Sequence, residues 1–94
     1  MKTVEEEIRE RMRKKFSPCK NGEKIDFVKF SDAHGGCTGV DAETLQDPVL
    51  NRYNMLYLYY CKNGALAFVC SVCRLCFSSL ESAVEHFKKA HGLK

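Results

Sequence analysis

"FVCSVCRLCFSSLESAVEHFKKAH", residues 68–91, decides how the rest of the chain is read. It carries three cysteines at steps of three, Cys70, Cys73 and Cys76, followed by two histidines, His86 and His91. A tetrahedral site closed by two imidazoles takes only two thiolates, so one cysteine is surplus. Counting from Cys70 gives C-x2-C-x12-H-x4-H, inside the ligand spacings of structural zinc. A close pair of thiolates grips one ion from a turn, and two histidines on successive helical turns point the same way. If the count starts at Cys73 instead, only nine residues separate Cys76 from His86. That is too little chain for a second strand, a turn and two turns of helix. Cys70, Cys73, His86 and His91 are therefore the expected ligands of one Zn2+. Cys76 falls on a strand just before Phe77 and reads as a small buried hydrophobe.

The flanking residues carry a resemblance. Phe68 lies two before the first ligand cysteine, Phe77 four after the second, and Ala83 three before the first ligand histidine. Over residues 66–93 the chain resembles the C2H2 zinc-finger family, with Ala83 standing where that family places a larger leucine. The resemblance implies a ββα fold around structural zinc, and a DNA-binding role in transcription regulation. The family register starts the helix at Leu80 and makes Ser79, Ser82 and Glu85 the base-facing positions. None of them is Arg, Lys, Asn or Gln, so the strongest bidentate base contacts are missing. Binding to DNA is then expected mainly through backbone charge.

The same helix has a second apolar stripe, Leu80, Val84 and Phe87, at i, i+4 and i+7. It is rotated away from Ala83, His86 and Ala90, which face the metal side. A free-standing finger would expose this stripe to water. We expect it to pack on the rest of the chain, with a partner-binding groove as the rival reading.

Upstream, Thr3 and Glu6 fit a capping box, and Val4, Ile8, Met12 and Phe16 recur every four residues. A helix over residues 4–16 follows, stopped by Pro18. Its Glu5–Arg9, Glu7–Arg11 and Glu10–Lys14 pairs have i, i+4 spacing, as a solvated, salt-bridged helix would. "EKIDFVKF" (23–30) has strand-like composition, and "DAHGGCTG" (32–39) reads as a glycine-rich loop. "DPVLNRY" (47–53) predicts a short helix, with Asp47 as cap and Pro48 at its first position. "NMLYLYYC" and "ALAFVC" flank Lys62-Asn63-Gly64 and predict a β-hairpin. "CKNG" occurs at 19–22 and again at 61–64, read as Asn-Gly turn chemistry used twice.

The expected organisation is a small α+β protein: a basic N-terminal helix in residues 1–20, an α+β region in 21–65 packing on the finger, and a C2H2 finger in 66–94. With 94 residues the chain buries little core, so help from a metal is expected. The N-terminus is densely charged and lacks the apolar core of a secretory signal. The stretch 54–70 is apolar but broken by "KNG", so no membrane span is read. The six cysteines are accordingly read as reduced and intracellular, in a nucleus if the source is eukaryotic. Cys19, His34, Cys37 and Cys61 are the remaining soft donors, and their wide spacing makes a second metal site the weaker reading.

Charge is uneven: +3 over residues 1–20, −2 over 21–69 and +2 over 70–94. Basic ends around an acidic middle suit a polyanion. Arg13, Lys15, Lys20, Ser79, Ser82, Lys88 and Lys89 are the candidate nucleic-acid contacts. Tyr57 and Tyr59 share one face of the hairpin and, exposed, would stack on unpaired bases. An enzyme is not expected, because four protein ligands leave zinc no open position. Nucleic-acid binding leads; the alternative is a protein-interaction module that presents Leu80, Val84 and Phe87 or a hairpin edge.

Overall fold

The Thr3 hydroxyl accepts a hydrogen bond from the Glu6 N–H at 3.2 Å and so opens the first helix as its spacing predicts. The computed structural model describes residues 3–14 and 17–92. Helix α1 runs Val4–Lys14 with glutamates in its first turn and basic residues in its last, as the helix dipole favours. Ile8 is fully buried and Met12 packs beside it; Phe16, the expected end of that stripe, lies outside the described residues.

The charged face of α1 does more than meet solvent. Of the expected i, i+4 pairs, Glu7–Arg11 forms at 2.7 Å. Arg9 turns instead to buried Asp47, and the Glu5 carboxylate accepts from the Gln46 N–H at 3.1 Å. Arg11 also donates to the Cys61 carbonyl, and its guanidinium lies 5.4 Å from the Tyr60 ring centre. These contacts seat the helix on the sheet, so the reading of a merely solvated helix is corrected.

The remaining elements are β1 (Glu23–Lys24), α2 (Phe27–Ala33), β2 (Cys37–Asp41), a 3-10 turn (Ala42–Thr44), β3 (Leu56–Cys61), β4 (Leu66–Cys70), β5 (Leu75–Phe77) and α3 (Leu80–His91). Over the described residues the fold is α+β: three helices and one antiparallel sheet of five strands in the order β1-β5-β4-β3-β2. The predicted hairpin forms its centre, pairing Leu56 with Cys70 and Tyr60 with Leu66. Gly64 takes a φ of +96° in its turn and Gly22 one of +82°, so both "CKNG" copies use their glycine in the left-handed region.

Three local expectations are corrected. Residues 23–30 do not form one strand: only Glu23 and Lys24 pair, with Cys76 and Leu75. The Asp26 carboxylate then accepts from the N–H groups of Val28 (2.9 Å) and Lys29 (3.3 Å) and starts α2. Helical spacing brings both Phe27 and Phe30 against the Tyr59 ring, which an alternating strand would not do. The glycine-rich loop shortens to residues 34–36, because Cys37–Asp41 is an edge strand paired to β3. At residues 47–53 no helix continues. Asp47 caps as expected, accepting from Val49 and Leu50, and Asn51 N–H reaches the Asp47 carbonyl at 2.9 Å, but the segment stays a chain of turns.

The sheet has two covered faces. On one, Leu56, Leu58, Leu66, Phe68 and Phe77 pack with Ile8 from α1 and with Ala83 and Phe87 from α3. Phe87 is 0% exposed and Leu80 packs against the same cluster, so these two residues of the second stripe dock within the chain, while Val84 is half-buried. On the other face Ala67, Val69 and Cys76 pack with Cys19, Ile25, Phe30, Tyr57 and Tyr59. No helix among the described residues is long and apolar enough to cross a membrane.

Candidate metal centre

Strand β4 ends at Cys70, and the chain turns through Ser71, Val72 and Cys73 before β5. Three hydrogen bonds hold this turn: Ser71 N–H to the Met55 carbonyl (2.9 Å), Arg74 N–H to the Cys70 carbonyl (2.7 Å) and Ile25 N–H to the Arg74 carbonyl (3.0 Å). The Cys73 N–H also points at Cys70 Sγ, 3.5 Å away. Arg74 closes the turn with a φ of +61°, the left-handed conformation that side-chain-bearing residues seldom take.

Helix α3 delivers the histidines. The Ser79 hydroxyl accepts from the Ser82 N–H at 3.2 Å and caps its start, and Gly92 ends it in a left-handed cap. His86 and His91 fall on the side that faces the cysteine turn. His91 Nε2 lies 3.1 Å from Cys73 Sγ and 3.4 Å from Cys70 Sγ. One donor atom from each of Cys70, Cys73, His86 and His91 lies within 4.8 Å of the others, so the four expected ligands come together and can hold a metal ion. A tetrahedron with Zn–S and Zn–N bonds of about 2.3 and 2.0–2.1 Å has edges of roughly 3.3–3.8 Å. The cluster is near that size and needs a contraction of about 1.5 Å at most along its widest edge.

One atom tests the fit. His86 Nε2 is buried and has no hydrogen-bond partner among the described residues. Such an orphan is costly in an apolar setting, and a metal bond removes the cost. Burial, with the neighbouring His91, pushes the His86 pKa down and keeps its imidazole neutral, the form that binds metal. The His86 ring packs on Phe77 at 4.9 Å between centres, which aims it inward.

Cys76 is not in the cluster. Alternation along β5 turns it to the opposite face of the sheet, where it is buried with Val69 and Ala67, and its Sγ points at the Lys20 carbonyl. Burial pushes its thiol pKa far up, helped by the neighbouring Cys19, so it stays protonated.

The other soft donors are differently occupied. Cys37 and Cys61 face each other as direct partners across β2 and β3 and form a disulfide. This corrects the reading of all cysteines as thiols: a wide sequence separation hid a direct cross-strand pair. Their sulfurs are spent on each other, His34 Nδ1 meets the Asn63 side-chain amide at 3.0 Å, and Cys19 sits beside Ser17 at 3.4 Å. Among the described residues the only cluster of metal-binding groups is the one at Cys70.

Arg13, Lys20 and Lys88 are exposed, Lys89 is paired with Glu85 at 2.9 Å, and Lys15 lies outside the described residues. Ser79 and Ser82 are bonded to each other at the start of α3, with 3.1 Å between hydroxyls. Sequence reading missed the Asp47–Arg9 contact and the packing of Phe27 and Phe30 from α2 against Tyr59. No family model, curated protein or solved structure matches this chain.

Proposed function

We propose that this is a nucleic-acid-binding domain organised by one structural zinc ion, with β4, β5 and α3 acting as a C2H2 ββα finger built into a larger sheet. The observation that carries the metal reading is the cluster of Cys70, Cys73, His86 and His91 with its orphaned His86 Nε2. Two thiolates and two imidazoles in a tetrahedral arrangement suit zinc above harder ions. The ion would hold the end of β4 against α3. Four protein donors leave it no position for a substrate, so its role is structural and the protein is not an enzyme.

Nucleic-acid binding is supported by the finger resemblance and by exposed cations near both ends, with Arg13 and Lys20 before the sheet and Lys88 after it. The partner is DNA contacted through its phosphates, in a regulatory role. Against the interaction-module alternative stand the burial of Phe87 in the core and the strands that flank the hairpin on both sides.

Metal analysis of the purified protein, with a mixed-sequence duplex and its separated single strand titrated at about 50 and 200 mM salt, tests both halves. One zinc per chain and binding that weakens steeply with salt is the expected result. Absence of bound zinc removes the first half, and absence of duplex or single-strand binding removes the second.

A further inference from the structure

The face of the sheet away from α3 carries a groove that the finger reading leaves unused. Its cavity is about 370 Å³, walled by Phe27, Tyr57 and Tyr59 and reaching Ser71 and Arg74 of the metal-binding turn. Beyond Phe27 and Tyr59 it continues into a second cavity of about 480 Å³ that Lys24 and Asp26 line. The rings are arranged and held. Tyr57 lies so flat over β2 that a Cβ on Gly39 would sit 2.5 Å from its ring, so the glycine is what lets the ring lie down. Tyr59 stands edge-on to Tyr57 and to Phe27, at 5.4 and 4.7 Å between centres. Phe27 remains 36% exposed.

Charge around the groove is mixed, with cations in excess. Asp26 keeps its negative charge while it accepts the first N–H groups of α2, and Arg74 and Lys24, both exposed, line the groove with it and enter no ion pair among the described residues. Flat aromatic faces beside free cations match a planar base joined to a phosphate. Only an unpaired base can offer its face, because in a duplex that face is stacked.

We propose that this groove binds unpaired nucleotides of single-stranded nucleic acid, with a base on Tyr57 and a phosphate at Arg74. The proposal rests on the nucleic-acid reading above and names its substrate class. It also ties recognition to the metal, because Arg74 hangs from the turn whose cysteines ligate it.

The test uses the full zinc-loaded chain and fluorescence anisotropy. The probes are a labelled ten-residue oligothymidylate, an abasic strand of equal length, the matching oligouridylate and a mixed-sequence duplex. Oligothymidylate should bind at least fivefold more tightly than the abasic strand. Tyr57→Leu keeps apolar cover over β2 and should weaken oligothymidylate about 5- to 150-fold, the loss of one base–aromatic stack, while leaving the abasic strand unchanged. Arg74→Gly relieves a left-handed backbone, so its melting temperature should not fall, yet it should weaken both strands and lower the salt slope by about 0.7. Oligouridylate against oligothymidylate tells RNA from DNA as the source of the strand. Equal binding of oligothymidylate and the abasic strand, or variants without effect on a folded protein, overturns the groove. Salt-dependent duplex binding surviving in that case leaves the nucleic-acid reading intact. Failure of every probe overturns both.

Discussion

At the scale of single residues, the surplus cysteine and a buried aspartate carry separate predictions. Cys76 faces away from the metal cluster and is almost wholly buried. Cys76→Ala should leave one zinc per chain and cost only a modest packing penalty, on the order of 1 kcal/mol. Loss of the metal in that variant, read by metal analysis, would show that the wrong register of cysteines had been chosen. Asp47 is 5% exposed. Burial opposes its ionisation, but Arg9 and the N–H groups of Val49 and Leu50 outweigh burial and hold its pKa below 3.8. A depressed carboxylate pKa adds stability above the ordinary value and loses it as pH falls through the folded-state pKa. Asp47→Ala should therefore destabilise by about 1–2 kcal/mol near neutrality, chiefly through the lost cap. Thermal melts of both proteins should converge as pH drops below about 4.

At the scale of elements, two junctions hold the structure, and neither lies in a single segment. Helix α3 is joined to the sheet through Phe87, which is 0% exposed in the cluster that also holds Ile8. Phe87→Ala should cost about 3–5 kcal/mol, and Val84→Ala, at a half-buried position, clearly less. A near-neutral Phe87→Ala in chemical denaturation would mean that α3 does not dock as described. The second junction is the edge strand β2, tied to β3 by Cys37–Cys61 over a sequence separation of 24. Closing a loop of that length stabilises by about 3–4 kcal/mol in the chain-entropy description. A Cys37→Ala, Cys61→Ala double variant should lose stability of that order while keeping its zinc, as calorimetry with metal analysis can show.

At the scale of the whole molecule, the candidate metal cluster and the core adjoin through Cys70. A structural zinc contributes on the order of 10–16 kcal/mol apparent in finger peptides, at or above the entire stability of a typical domain. Cys70 belongs to the same core cluster as Leu56, Phe68 and Phe87, so a disturbance at the ion reaches the sheet. His86→Ala, or chelation, should remove the α3 helical signal and lower the melting temperature of the entire protein. Unchanged circular dichroism and melting on chelation would count decisively against a metal-dependent fold.

What the sequence by itself determined is what local spacing encodes. Cys70, Cys73, His86 and His91 were legible because two cysteines in one turn and two histidines on one helix face need no distant information to be found. Helix α1, the hairpin and the cap at Asp47 were legible for the same reason, since period and capping are properties of a few neighbouring residues. Residues 23–30 misled because strand-like composition outweighed Asp26, whose capping only the helix reveals. Tertiary structure alone decided the rest. The Cys37–Cys61 pair and the edge strand that carries it exist because β2 aligns with β3 in one register. Arg9 meets Asp47, and Tyr57 lies over Gly39, through contacts between segments far apart in the chain. Phe87 could be seen to need cover, but only the packed sheet shows that it joins one core with Ile8, Leu50 and Phe68. Periodicity states which face of an element seeks burial; which face covers it is settled by the joint packing of all elements, where the free energy of burial is realised.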